Sequence, residues 1–353
     1  MNNNKFGISR YLQLFLRIAA AVSIIAALIY LRKDQLQKCL AVFDYTKIIP
    51  AMCCYGFHLL VCAWRWRTLA KMQKFDLTLK EAFCLTMQGG FFSMILPGGA
   101  IGGDVVKMGI LARRRQPGSR TEGIFTIFMD RVVGMVALFG LTIVLLAVFY
   151  PRINELKVPG FEISSYKLRI FAWGIFAICF AGIAAAAGIF FHSFFEKFRL
   201  IKKVMDFADV RFNNAVTRIC AAADSYAKQI PQLLNLTLIS VLLVHIMTAL
   251  PMFFLLRGTG VTLSGHWLLI LTAVTIGNIA GLIPLSPGGI GLRDLTVIAI
   301  LGSGGISAGT GETAQLLYTG IMICFALSGS LFFIFDHRVP GETATTYEKV
   351  EHE

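Results

Sequence analysis

The residues with the most chemistry to offer are few, and most lie beside glycine. Residues 96–115 read LPGGAIGGDVVKMGILARRR, and residues 284–301 read PLSPGGIGLRDLTVIAIL. Pro97-Gly98-Gly99 matches Pro287-Gly288-Gly289, and Asp104 and Asp294 each follow the proline by seven residues. Gln88 and Asn278 each precede it by nine. Proline lacks an N–H and glycine gives up the most backbone freedom, so each stretch interrupts a helix. The helix that restarts beyond it presents unpaired N–H groups and partial positive charge, which suit a phosphate. Gly99, Gly102, Gly103 and Gly289 lack a Cβ and let an anionic group approach the backbone. Arg293 adds a guanidinium that can fork onto a phosphate. Asp104 and Asp294 read either as N-terminal caps, about 1 kcal/mol each, or as partners for a cationic group, Arg131 or Arg293.

The other polar pair is Asp130-Arg131, in FMDRVVGMV. If the helix over 124–150 crosses whole, the pair lies deep, where charge marks a functional path. If 132–150 spans alone, the pair sits at the interface and Arg131 snorkels. Neighbours on a helix point in different directions, so the two are not expected to pair with each other. Arg17 reads as a snorkelling residue. The candidate binding residues are therefore Pro97, Gly98, Gly99, Gly102, Gly103, Asp104, Asp130, Arg131, Asn278, Pro287, Gly288, Gly289, Arg293 and Asp294.

The elements that must position them are apolar. The 353 residues are 56% hydrophobic and only 15% charged, against about 25% charged in soluble domains. Segments 11–31, 46–63, 124–150, 169–191, 232–256 and 313–335 each approach the ~20 apolar residues needed to cross a bilayer. The expected fold is an all-α polytopic membrane protein. The first segment carries Arg17 and no small-residue cleavage site, which argues against a cleaved signal peptide. The net charge of +13 falls largely in loops, where it sets orientation and meets anionic lipid, so no nucleic-acid partner is expected. The eight cysteines include no CxxC and read as small buried hydrophobes. The six histidines show no metal spacing, and His58 and His245 lie alone on apolar helices. No metal or cofactor is expected.

Two basic loops, 64–81 (Arg65, Arg67, Lys71, Lys74, Lys80) and 103–122 (Lys107, Arg113, Arg114, Arg115, Arg120), flank one apolar segment. One full crossing would put one of them outside, against the positive-inside rule. A re-entrant hairpin that breaks at Pro97-Gly98-Gly99 keeps both inside. Broken backbone at depth is tolerated where it lines a protein cavity. The second motif, over 267–302, has weakly charged flanks and reads as a hairpin from the opposite face. Six spanning helices plus two re-entrant helical hairpins then form an inverted repeat, with halves about 5–150 and 166–338. The second half is longer by 196–230, an amphipathic segment read as a helix on the cytoplasmic surface or as a helical loop packing on the bundle. Residues 1–338 form a single transmembrane domain and 339–353 a cytoplasmic tail. Both termini are expected in the cytoplasm.

LPGGAIGGDVVKMGIL, then DRVVG, then PLSPGGIGLRD resembles the lysylphosphatidylglycerol synthase/flippase transmembrane family, over about 10–338. The resemblance implies a helical bundle with re-entrant segments in the inner (cytoplasmic) membrane and, in the best-known members, translocation of an aminoacylated anionic phospholipid. Others accompany isoprenoid-lipid or glycolipid pathways. The soluble aminoacyl-transferase domain of the synthases has no counterpart here, and the second motif ends in Asp294 where Glu is common. The leading expectation is a flippase for an anionic membrane lipid, working by alternating access between the halves, and not an enzyme. The alternatives are an integral-membrane enzyme on lipid-linked phosphates or an accessory partner of a lipid-modifying enzyme. The first would need a nucleophile or an acid–base set, and no paired carboxylates or Ser-His set stand out. No GxxxxGK[ST] loop argues for ATP. The lipid and the oligomeric state stay open.

Overall fold

The computed structural model describes Gln37 and residues 40–96, 99–114, 120–151, 165–190, 215–283 and 289–335. Among the described residues the chain is helical, without strands. The helices are α1 (Ile48–Met72), entered through a 3-10 turn at Tyr45–Lys47, α2 (Leu79–Ile95), α3 (Ala100–Arg114), α4 (Arg120–Phe149) and α5 (Ser165–Phe190). The second half continues with α6 (Ala215–Ala227), α7 (Ile230–Gly258), α8 (Trp267–Gly281), α9 (Leu292–Ser303) and α10 (Ala308–Ile334). Five are long and apolar enough to cross a membrane: α1 with its leading turn, α4, α5 over Arg169–Gly188, α7 and α10. The protein is an all-α polytopic membrane protein, and these five match expected segments. The expected helix 11–31, with Arg17, lies outside the described residues.

The remaining core helices are short because the sequence stops them. Thr78 opens α2 by accepting the Glu81 N–H at 3.2 Å, a side-chain cap, and Leu96 turns extended just before Pro97. At 17, 15, 15 and 12 residues, α2, α3, α8 and α9 all fall below the ~20 residues of a full crossing. They fold back in pairs instead. Gly89 packs against Lys107 and Gly103, and Gly103 against Ser93, so α2 and α3 run antiparallel. Gly277 meets Val297, Gly281 meets Arg293 and Gly304 meets Leu269, which makes α8 and α9 a second hairpin.

Pro97, Gly98, Pro287 and Gly288 lie outside the described residues. Their neighbours carry the matched geometry: Gly99 has φ +56° and Gly289 φ +72°, both left-handed, at the same place in the motif. A Cβ on Gly289 would also stand 2.8 Å from Gly281 Cα. Only glycine meets both demands.

Several packings in one half have a counterpart in the other. Helix α1 lies against α7; α2 runs along α10 as α8 runs along α4; α3 packs on α4 as α9 packs on α10. The two hairpins open at opposite ends of the bundle. The open end of the first follows the end of α1 at Met72, whose carbonyl accepts from Gln229, and its Phe83 meets the Phe332 ring at 5.8 Å; further along α2, Gln88 donates to the Phe332 carbonyl at 2.9 Å. The second opens at the end where the Asp44 N–H donates to the Gly258 carbonyl at 2.8 Å.

Of the amphipathic segment 196–230, residues 196–214 lie outside the described residues. The described part, α6, packs on the bundle: Tyr226 donates to the Leu69 carbonyl at 2.9 Å, and Ala222, Ala223 and Tyr226 join Leu69, Phe125 and Met129 in one apolar cluster. The cysteines differ in part from their expected burial. Cys179 is buried, but Cys53 and Cys324 face outward from spanning helices, where lipid makes an apolar surface cheap to expose.

Candidate functional site

The first hairpin brings a carboxylate into the bundle. Asp104 lies in the second turn of α3 and is buried. Arg131 of α4 grips it through two hydrogen bonds, one from Nε and one from Nη2, the latter at 2.7 Å. This is the bidentate fork that suits a guanidinium and a carboxylate. Lys107, one turn on, brings its ammonium 3.9 Å from the same carboxylate and lies 4.3 Å above the Trp66 ring. Trp66 is held in turn by a 3.0 Å bond to Thr126.

Asp130 turns the other way, as expected for a helical neighbour, and accepts from Arg65 Nε of α1 at 2.8 Å. Arg65 lies flat against α4 because residue 134 is glycine; a Cβ there would stand 3.1 Å from Arg65 Nη2. On its far side the guanidinium reaches Ser240 at 3.5 Å. That serine opens a π-helical turn, Ser240–His245, inside α7.

Arg65, Lys107 and Arg131 against Asp104 and Asp130 leave this cluster one positive charge in excess. Asp104 lies ten residues from the end of α3 and Asp130 ten from the start of α4, so both lie about 15 Å along their helices from those ends at 1.5 Å per residue. Asp130 and Arg131 fall within the candidate span Arg120–Phe149. Within the cluster Arg131 alone is open: its side chain is 45% exposed, against 9% for Asp104 and 7% for Arg65. Ile101 and Phe128, one turn before Asp104 and Arg131 on their helices, and Val105 beside Asp104 are exposed, so the outer flank of this part of α3 and α4 is apolar.

The second motif builds a closed counterpart. Asp294 both caps and pairs. Its Oδ2 accepts the Gly291 N–H at 3.1 Å. Its Oδ1 accepts from Arg293 Nη2 at 2.7 Å, Gln315 at 2.7 Å and Thr319 at 3.2 Å. Arg293 also donates to Thr319 at 2.9 Å, and only 5% of its side chain is exposed. The guanidinium expected to meet a phosphate is thus enclosed and saturated. Asn278 lies half-buried near the end of α8, and Gly102 and Gly103 are buried between the arms of the first hairpin. Asp104 faces Arg131 where a cap had been one of two readings.

Sequence reasoning missed Arg65 and Lys107, which were assigned to basic loops. Helix α1 continues to Met72 and α3 to Arg114, which draws both cations into the protein. The usable signal was helical spacing: Tyr55, His58, Cys62 and Arg65 recur at steps of three and four along α1.

The model of one protein family, described as lysylphosphatidylglycerol synthase TM region, matches residues 15–329. No curated protein matches the chain.

Proposed function

The chain belongs to the lysylphosphatidylglycerol synthase transmembrane-region family, and on that footing we propose that it moves an anionic, phosphate-bearing lipid across the cytoplasmic membrane. The family supports a membrane lipid-related function for this multi-pass protein. The finer reading rests on one observation: Arg131 is a half-exposed cation of a candidate spanning helix, on an apolar flank, while its carboxylate partner is buried.

A cation within a span ordinarily faces the bundle interior or a water-filled cavity. Arg131 instead stands where a lipid arriving from the side would place its phosphate. The phosphate would exchange with Asp104 for the guanidinium fork, and the excess positive charge of the cluster would favour the exchange. Lys107 and Arg65 lie too deep to be reached first and set the field around the fork. Acyl chains would stay along Ile101, Val105 and Phe128.

The matched packings of the two halves and the opposite openings of the hairpins support an inverted repeat, re-entrant in the bilayer, with alternating access as the mode of movement. The basic end of the bundle, with Arg113, Arg114, Arg120 and Lys228, would face the cytoplasm. No catalytic step is assigned.

The test is transbilayer movement of headgroup-labelled phosphatidylglycerol in liposomes holding the purified protein. Arg131→Gln should slow movement at least tenfold, and Arg293→Gln should first cost stability. Unchanged movement in Arg131→Gln would remove the site from the first hairpin. No movement in wild-type liposomes would remove the flippase reading for this lipid.

A further inference from the structure

The transport reading leaves two titratable groups without a task. His58 lies near the middle of the span Tyr45–Met72 and His245 near the middle of Ile230–Gly258. A histidine at mid-membrane is costly to keep and typically belongs to an ion or proton path. His245 is 8% exposed, and its Nε2 is buried with no hydrogen-bond partner. It closes the π turn of α7, a distortion found mostly at functional sites.

Its surroundings are specific. Its turn packs against α1 and α4, with Arg65 and His58 of α1 and the Gly134 backbone of α4 within electrostatic reach of the ring. Asp130 lies behind Arg65 at 2.8 Å, and Cys62 lies 3.9 Å from His58. Ser240, at the other end of the same turn, reaches Arg65. From α10, Tyr318 donates to the Thr248 carbonyl, one turn further along α7. His58 is half-buried and 5.7 Å from the Tyr55 ring, and Tyr55 stacks edge-on against Tyr318, 6.2 Å away. Arg293 lies over that ring. Polar groups of α1, α7 and α10 thus lie between the cluster of the first hairpin and that of the second, the two histidines among them.

We propose that movement through this protein is coupled to protons, and that His245 is the group that takes and releases the proton. The Nε2 lone pair accepts a proton from water reaching it from one side, past His58. An N–H bond forms, and the ring becomes an imidazolium. The same N–H bond breaks when the proton leaves toward the other side; no electrons are exchanged. While charged, the imidazolium stands beside Arg65, with Asp130 to serve both cations. The repulsion displaces Arg65 and so weakens its contact with Ser240, which ties α1 of the first half to α7 of the second. The inference rests on the lipid-transport reading for what the proton drives, not for the proton step itself.

The experiment uses the full chain in liposomes that trap a pH-sensitive dye and carry headgroup-labelled phosphatidylglycerol. Proton entry and lipid movement are recorded together, with and without an imposed pH difference of one unit. The expected result is proton entry above that of protein-free liposomes, and lipid movement that changes at least threefold with the gradient. His245→Gln should abolish both responses. His58→Gln, at a less enclosed position, should diminish both and guards against a His245 variant that fails to fold; elution volume beside wild type checks each. Lipid movement indifferent to the gradient, with no proton entry, overturns the proposal and leaves the flippase reading standing. Proton entry lost in His245→Gln without lipid movement keeps the proton step and overturns the lipid. Proton entry that survives both substitutions overturns the assignment to the histidines. Neither movement overturns both readings.

Discussion

At the scale of single residues, the two acid–base pairs of the first hairpin differ in kind. Arg65 and Asp130 are both buried, so removing one strands the other. Asp130→Asn should lower stability by about 3–5 kcal/mol, read as thermal unfolding in detergent. An Arg65→Met, Asp130→Leu double variant should recover most of that loss, because no lone charge remains. A double variant as unstable as the sum of its singles would show that the pair does more than neutralise itself. Arg131→Gln should cost much less, since the guanidinium it removes is half exposed and Asp104 keeps Lys107 beside it at 3.9 Å. The divergence of Asp130 and Arg131 was legible in the sequence, because adjacent helical residues cannot share a face. The identity of their partners was not. It depends on which helices lie side by side, and no local pattern specifies that for Arg65, Asp104 or Lys107.

At the scale of elements, the breaks were legible and the distortions were not. Pro-Gly-Gly announces itself by chemistry, and both hairpins turn where the motif falls. Ser240–His245 carries no such punctuation: SVLLVH reads as ordinary apolar helix. Its π turn packs against α1 and α4, and Ser240 meets Arg65 there, partners that no local pattern announces. The contact of α2 with α10 is set by glycine at 329, where any Cβ would overlap the Met87 carbonyl. Gly329→Ala should destabilise by about 1–3 kcal/mol through overpacking, seen as a fall in Tm. Gly320, with open space around its Cβ position, is the control: Gly320→Ala should leave Tm unchanged or raise it. Equal effects at the two positions would mean that α2 does not lie against α10 as described.

At the scale of the whole molecule, the apolar lengths made the spanning helices readable in advance. The charge asymmetry argued for a turn-back between the two basic flanks, and α2 and α3 do pack antiparallel. What stayed hidden was that α1 and α3 extend into their basic flanks, so some loop charges belong to the interior. The opposite openings of the hairpins predict a labelling pattern. With the eight native cysteines replaced, Lys74→Cys and Ser264→Cys should react with an impermeant maleimide from opposite sides of the membrane. Lys74→Cys should be the one reached from the cytoplasm. Labelling of both from one side would sink the arrangement.

The seat of the first hairpin also governs how the protein is made. Helix α2 is synthesised early, yet it rests on α10, where Gln88 donates to Phe332. Those partners lie 244 positions apart in the chain, which is roughly 10–50 s of translation at about 5–20 residues per second. Throughout that interval a helix pair too short to span, carrying Asp104 and Lys107, has no finished place to dock. The newborn hairpin must wait at the membrane surface or in the care of the insertion machinery. A ribosome that stops before Ala308 leaves it permanently unseated, an exposed polar wound that quality-control proteases are equipped to find.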